Sequence, residues 1–282
     1  MLKICADSTC DLSPELIRQY GITIIPLHIV LDDKEYRDGI DITQEEIFEW
    51  ADRNKTTPKT SAVAFTDAQA AIKPMIDEGD ELILFSIASS FSTTVNVFRM
   101  VAEDLEATDR VHVVDSMNLS TGIGLLVIEA AEMAKEGFGA DEILKEINRL
   151  IPKVRSSFVI DTLTYLARGG RCSSVAALTG GMLKIHPKII VKDGKMEVSK
   201  KYRGQIRAVT MDYVKDMHYA LLGARRQRVF VTHTSSNREI VEEVKSYLEG
   251  LGYFDEIYET RAGGVISSHC GPGTLGVLFI EG

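Results

Sequence analysis

Three short apolar runs in the first half of the chain constrain its fold more than any other feature. Residues 2–6, 82–87 and 111–114 are rich in Leu, Ile and Val over lengths suited to strands buried on both faces. Helix signals separate them. Ser13 stands where a helix cap belongs, with Pro14 at the first position and Gly21 at the stop. Thr43 and Glu46 have capping-box spacing, which Thr66 and Gln69 repeat ahead of residues 70–76. Residues 22–31 are β-rich but interrupted by Pro26, and Ile143, Leu144, Ile147, Leu150 and Ile151 mark one helix face. Strands alternating with helices predict an α/β layer with a mostly parallel sheet flanked by helices.

The second half follows a different rhythm. Residues 188–191 and 196–202 flank Asp193-Gly194, a strong hairpin signal. A helix is expected around 209–222, then a strand at 228–233, a helix at 240–248 and a last strand at 275–280. This order describes an α+β unit, so two domains are expected, 1–150 and 151–282. The chain of 282 residues carries a net charge of −9, which disfavours nucleic acid as a partner. No apolar stretch approaches the ~18 residues of a membrane span. Asp7 interrupts the N-terminus before a signal-peptide core forms. Four scattered cysteines without a CxxC suggest reduced thiols and a cytoplasmic location.

Polar groups collect where the apolar runs end. The first ends in Asp7-Ser8-Thr9, the second leads to Ser86 and the hydroxyl-rich residues 89–94, and the third ends in Asp115-Ser116. Ligands of open parallel sheets bind beyond the carboxyl ends of strands, and hydroxyls beside helix starts suit a carboxylate or phosphate. The same residue types are also ordinary helix caps. Thr60-Ser61 reads as a polar loop. Residues 165–172, YLARGGRC, read either as a glycine helix stop with a basic last turn or as an anion or partner grip. Residues 267–276, SSHCGPGTLG, read as a tight loop in which His269 is free to hydrogen-bond or move protons. No Cys or His falls at ligand spacing, so no metal is expected. Phosphate-loop, dinucleotide, zinc-protease and nucleophile-elbow motifs are missing. A crevice for an anion without a catalytic engine points to a binding protein. The alternative is an enzyme acting on a small anionic substrate in a Ser/Thr-rich crevice with His269.

Taken together, the motifs DSTCDL (7–12), Thr60-Ser61, SSFSTT (89–94), VVDS (113–116), YLARGGR (165–171), MLKIHPKI (182–189) and HCGPGTLGV (269–277) make the chain resemble the DegV family of bacterial fatty-acid-binding proteins. The resemblance spans essentially the whole sequence. It implies a two-domain α/β fold that closes over a long-chain, palmitate-like fatty acid, with no cofactor. It also implies a carrier that presents the carboxylate to a separate fatty acid kinase subunit, with at most transient membrane contact. By the same resemblance, Thr60, Ser61, Ser92, Thr93 and His269 surround the carboxylate, while Arg171 and Arg203 engage the kinase subunit. Two departures stand out. Ala62-Val63 replaces the family's Gln-Pro, and Phe91-Ser92-Thr93 replaces its Leu-Ser-Gly, adding a side chain near the head group. Residues 119–128 and 182–190 are candidate walls for the acyl tail.

Overall fold

The structure, a computed structural model, describes residues 1–176 and 185–282. The first half contributes strands β1 (Leu2–Asp7), β2 (Thr23–Ile25), β3 (His28–Leu31), β4 (Lys34–Arg37), β5 (Lys59–Ser61), β6 (Glu81–Ser86) and β7 (Val111–Asp115). The second half contributes β8 (Val154–Val159), β9 (Ile185–Lys192), β10 (Lys195–Arg203), β11 (Arg228–His233), β12 (Glu256–Arg261) and β13 (Leu275–Ile280). A parallel sheet runs in the order β2-β1-β6-β7. A small antiparallel sheet, β4-β3-β5, is built from the same half. The remaining strands form one six-stranded sheet, β10-β9-β8-β13-β11-β12, antiparallel except for the β11–β12 pair. The fold class is therefore the expected one, a parallel α/β layer followed by an α+β unit.

Local chemistry places most of these elements. Ser13 accepts from the Leu16 amide, and Gly21 closes the helix Pro14–Tyr20 in the left-handed region. Thr43 and Glu46 form the reciprocal box. Asp193 and Gly194, at φ 48° and 72°, turn β9 into β10. Two expectations fail. The helix assigned to a Thr66 cap instead begins at Phe65, behind an uncapped Ala64, and Gln69 Nε2 donates to Asp104 Oδ2 at 2.6 Å. A partner on the neighbouring helix has captured the side chain that a local box would use. The single helix expected around 209–222 is two, Ile206–Asp216 and His218–Leu222, separated at Met217. The break keeps Met217 in the core, where its Sδ accepts from Ser157 Oγ at 3.3 Å.

The helix Thr121–Lys135 packs against strands of both large sheets and is buried continuously from Thr121 to Ala131. Burial all round explains why this stretch has no polar face. One apolar core joins Ile4 and Phe85 of the parallel sheet to Phe158, Phe230 and Leu278 of the mixed sheet. An ionic clamp reinforces that junction. Buried Arg228 of β11 reaches Glu129 Oε1 at 2.9 Å and Glu132 Oε2 at 2.5 Å, and Tyr20 donates to Glu132 Oε1 at 3.0 Å.

Candidate functional site

Thr60 and Ser61 lie on β5, which pairs with β3 through Thr60 opposite Ile29, so the expected loop is a strand. Successive side chains of a strand point to opposite faces. Thr60 Oγ1 accordingly lies 2.8 Å from His269 Nε2, whereas Ser61 Oγ donates to Glu35 Oε1 of β4 at 3.0 Å. The Ser61 hydroxyl is thus engaged by a neighbouring strand, although Ser61 lines the same cavity as Thr60.

His269 rides on a seven-residue helix, Gly264–Cys270, where the sequence predicts a tight loop; the loop begins only at Gly271. The first half of the chain grips the start of this helix. Asp11 Oδ1 accepts from the Gly263 amide and Asp38 Oδ1 from the Gly264 amide, both at 2.7 Å. Ser120 steadies Asp11 at 2.5 Å, and Ser8 steadies Asp38 at 2.8 Å. A Cβ on Gly264 would stand 2.5 Å from Ile29 Cδ1 and 2.6 Å from Ile47 Cδ1, so any side chain there would force these buried isoleucines to shift. Burial pushes the carboxyls of Asp11 and Asp38 above the usual range. It raises Asp7 to about 6, although Asp7 accepts from the amides of Thr9 and Ile87. These strand-end acids therefore brace the backbone around the site.

The two glycines of the RGGR segment have separate tasks. Gly170, at φ 70°, stops the helix Leu163–Gly169 in the expected way. Gly169 packs against the imidazole of His269, and a Cβ there would fall well inside contact distance of Nδ1. That Nδ1 is buried and without a hydrogen-bond partner. Burial, helped by the Arg171 cation, holds the His269 pKa down to about 4, so the ring is neutral at pH 7.

These groups border one end of a cavity of about 330 Å³. Thr60, Ser61, Ser92, Thr93, Arg171 and His269 are among the polar residues that line it. Ser92 Oγ lies 2.9 Å from Thr94 Oγ1, at the start of the helix Thr94–Asp104. Arg171 Nη1 donates to the Gly169 carbonyl at 2.6 Å. Leu27, Ile87, Leu119, Leu166, Met196 and Ile266 supply apolar wall. Phe91 and Ala62, two of the departures from the family pattern, also border the space.

Several expected positions do not meet here. Arg203 ends β10, seven residues beyond Met196, which places it roughly 20 Å along the strand from the cavity. Of residues 119–128 only Leu119 borders the cavity, because the others belong to the buried helix between the sheets. Residues 182–184 lie outside the described residues, and none of 185–190 borders it; Ile189 is plain core. The Cys270 thiol borders the cavity, but burial pushes it up to about 12, leaving it un-ionised. Among the described residues, no three His, Cys, Asp or Glu side chains converge as metal ligands, and no helix is long and apolar enough to cross a membrane.

A family model described as "Uncharacterised protein, DegV family" matches residues 1–282. The chain belongs to the DegV family. A DegV domain-containing protein from Caldanaerobacter subterraneus is 34% identical over 284 residues, covering 99% of each chain. A solved structure reporting fatty acid binding of a DegV family protein from Thermus thermophilus superposes with a TM-score of 0.91 at 29% identity, covering 99% of both chains. A fatty acid (stearic acid)-binding protein from Eubacterium ventriosum superposes with a TM-score of 0.86 at 28% identity, over 100% of this chain and 98% of that one.

Proposed function

We propose that this DegV chain binds one long-chain fatty acid, with its carboxylate at Thr60, Ser92, Thr93 and His269 and its tail along the apolar walls. The observation that carries this reading is a cavity that Leu27, Ile87, Leu119, Leu166, Met196 and Ile266 line with apolar wall and whose border also holds the Thr60–His269 hydrogen bond. The fatty acid and stearic acid bound by the Thermus and Eubacterium relatives support the same ligand class. A neutral imidazole has one proton to give. With that proton on Nε2, His269 donates to Thr60 Oγ1, and the Thr60 hydroxyl proton is left to donate to a carboxylate. The start of the helix Thr94–Asp104 adds its dipole to the same end. Each buried CH₂ contributes about 0.8 kcal/mol, so a tail of ~14 methylenes is worth on the order of 11 kcal/mol before ordering costs.

A carboxylate held by neutral hydroxyls stays un-neutralised and nucleophilic. In this reading the chain presents it to a separate kinase subunit, which transfers a phosphoryl group from ATP to a carboxylate oxygen and gives the acyl phosphate. Arg171, exposed beside the cavity, and Arg203, at the far end of β10, are assigned to that partner. The two halves, 1–150 and 151–282, act as the domains that close on the tail. Four buried, unpaired cysteines fit a reducing, cytoplasmic setting. The enzyme reading draws less support. His269 is too weak a base to take a proton near pH 7, and the Cys270 thiol is too weak an acid to act as a thiolate.

Solvent extraction of freshly purified protein, followed by mass spectrometry, tests the ligand assignment. One equivalent of a long-chain fatty acid is expected. No lipid, together with no uptake of added palmitate, overturns it. Arg171→Ala is expected to retain the lipid and impair acyl-phosphate formation; equal loss of both refutes the partner role.

A further inference from the structure

A second cavity, of about 570 Å³, opens at the β8–β9 end of the mixed sheet, bordered by Val154, Ser156 and Val191 of its inner face and by Ser157, Lys188 and Ile190 of its outer face. Along β9, Ile189 and Val191 enter the core between the sheets, while Lys188, Ile190 and Lys192 alternate with them. Lys188 pairs with Val159 and Ile190 with Ser157, which puts both on the face that carries Val159 and Tyr213. Met217, Ala220 and Phe279 complete an apolar wall there.

Lys188 is the group in this cavity with no structural explanation. It is half-buried, with its ammonium 5.4 Å from the centroid of the Tyr213 ring. Among the described residues no carboxylate lies within ion-pair distance of it. Asp216, the acid that acts on it through space, already accepts from Lys200 and from the Tyr202 hydroxyl. Arg155, which also lines the cavity, is bound to Glu281 and to the Pro152 carbonyl. Lys192 and Asp193, which also line the cavity, lie exposed at the hairpin end. Burial depresses the Lys188 pKa, and the Asp216 charge offsets only part of that effect. An ammonium partly withdrawn from water, with an aromatic face but no carboxylate beside it, leaves the counter-charge to be supplied by a ligand.

We infer that this second cavity is a binding site for an amphipathic anion, with a carboxylate or phosphate head at Lys188 and an apolar body on Ile190, Met217 and Phe279. It shares no lining residue with the first cavity, and its test does not depend on the proposed function. Calorimetric titration of the full chain with decanoate and with decyl phosphate addresses it, using the wild type, Lys188→Met and Thr60→Val. One class of sites is expected to weaken at least tenfold in Lys188→Met and to survive in Thr60→Val. The head group that binds more tightly names the source. Decanol, with no charge, is expected not to distinguish Lys188→Met from the wild type. The proposal is overturned if Lys188→Met leaves every class of sites unchanged, or if no class survives Thr60→Val at millimolar ligand. Should Lys188→Met melt below the assay temperature, Ala220→Trp fills the cavity with the lysine intact. Retention of the Thr60-independent sites in that variant equally overturns the proposal. Lipid extraction from Lys188→Met reports on the first cavity alone, so failure of one site is not mistaken for failure of the other.

Discussion

Gly169→Ala sets two physical effects against each other at the His269 ring. Gly169 ends a helix without a left-handed φ, so on backbone grounds alanine stabilises by about 1 kcal/mol. The packing says the opposite. The new methyl would sit about an ångström inside ordinary contact with His269 Nδ1. Nε2, across the same ring, is already 2.8 Å from Thr60 Oγ1, so the imidazole has no room to slide forward and must swing away. A hydrogen bond to a charged group is worth about 1.5–3 kcal/mol. Losing the relay from His269 through Thr60 to a bound carboxylate therefore weakens fatty acid binding roughly ten- to hundredfold. Displacement of a fluorescent fatty acid measures the affinity, and thermal melting measures the stability. Gly170→Ala is the control. Its φ of 70° makes alanine cost ~1–2 kcal/mol of stability, but no atom lies within 4 Å of the new methyl, so affinity is expected to hold. Wild-type affinity in Gly169→Ala, with a raised melting temperature, refutes the reasoning.

Other outcomes follow from the charged groups and thiols. Between pH 6.5 and about 4 the unfolded chain carries a proton on His269 that the folded chain excludes, so this residue lowers stability as pH falls. His269→Gln is expected to gain on the wild type across that window by up to roughly 3 kcal/mol, measured by urea melts at pH 7 and pH 4.5. Asp7 works in the opposite sense, because its raised pKa of about 6 makes the folded chain the better proton binder between pH 6 and 3.8. Stability carried by this group therefore rises as pH falls through that window, and Asp7→Ala is expected to flatten that rise in the same melts. Arg228→Met leaves Glu129 to Arg225 alone and Glu132 to the Tyr20 hydroxyl, and is expected to cost about 3 kcal/mol in denaturant melts; a loss below 1 kcal/mol would mean that Arg225 and water compensate the carboxylates. The buried thiols of Cys5 and Cys270, pushed up to about 12, are expected to resist iodoacetamide at pH 8 until the chain unfolds, as read by intact mass.

The parts of this molecule that were legible in the sequence are those whose cause is local. The caps at Ser13 and Thr43, the stop at Gly21 and the Asp193-Gly194 turn each act within a few residues, and each stands where its spacing puts it. The short polar strands β4 and β5 carry no alternation to read, because pairing with β3 creates them. Residues 264–270 form a helix without a polar face, since Asp11, Asp38, Ile29 and Ile47 surround it from more than 200 positions away. His269 was identifiable as a residue of interest, but its support was not. The false box at Thr66 has the same origin, a distant acid that outcompetes a near amide. The apolar cavity walls Leu27, Leu166 and Ile266 look like any core residue, and only the space beside them distinguishes them.

The grip of Asp11 and Asp38 on Gly263 and Gly264 bears on how the chain can be divided. The imidazole belongs by sequence to the second half, yet it is held by the first. A cut near residue 150 would leave Thr60 and Ser92 on one fragment and His269 on the other. Neither piece would hold a complete polar end, and the separated Gly263–Gly264 corner would have only water to satisfy its amides. The site is thus a property of high contact order, assembled when the two ends of the polypeptide meet.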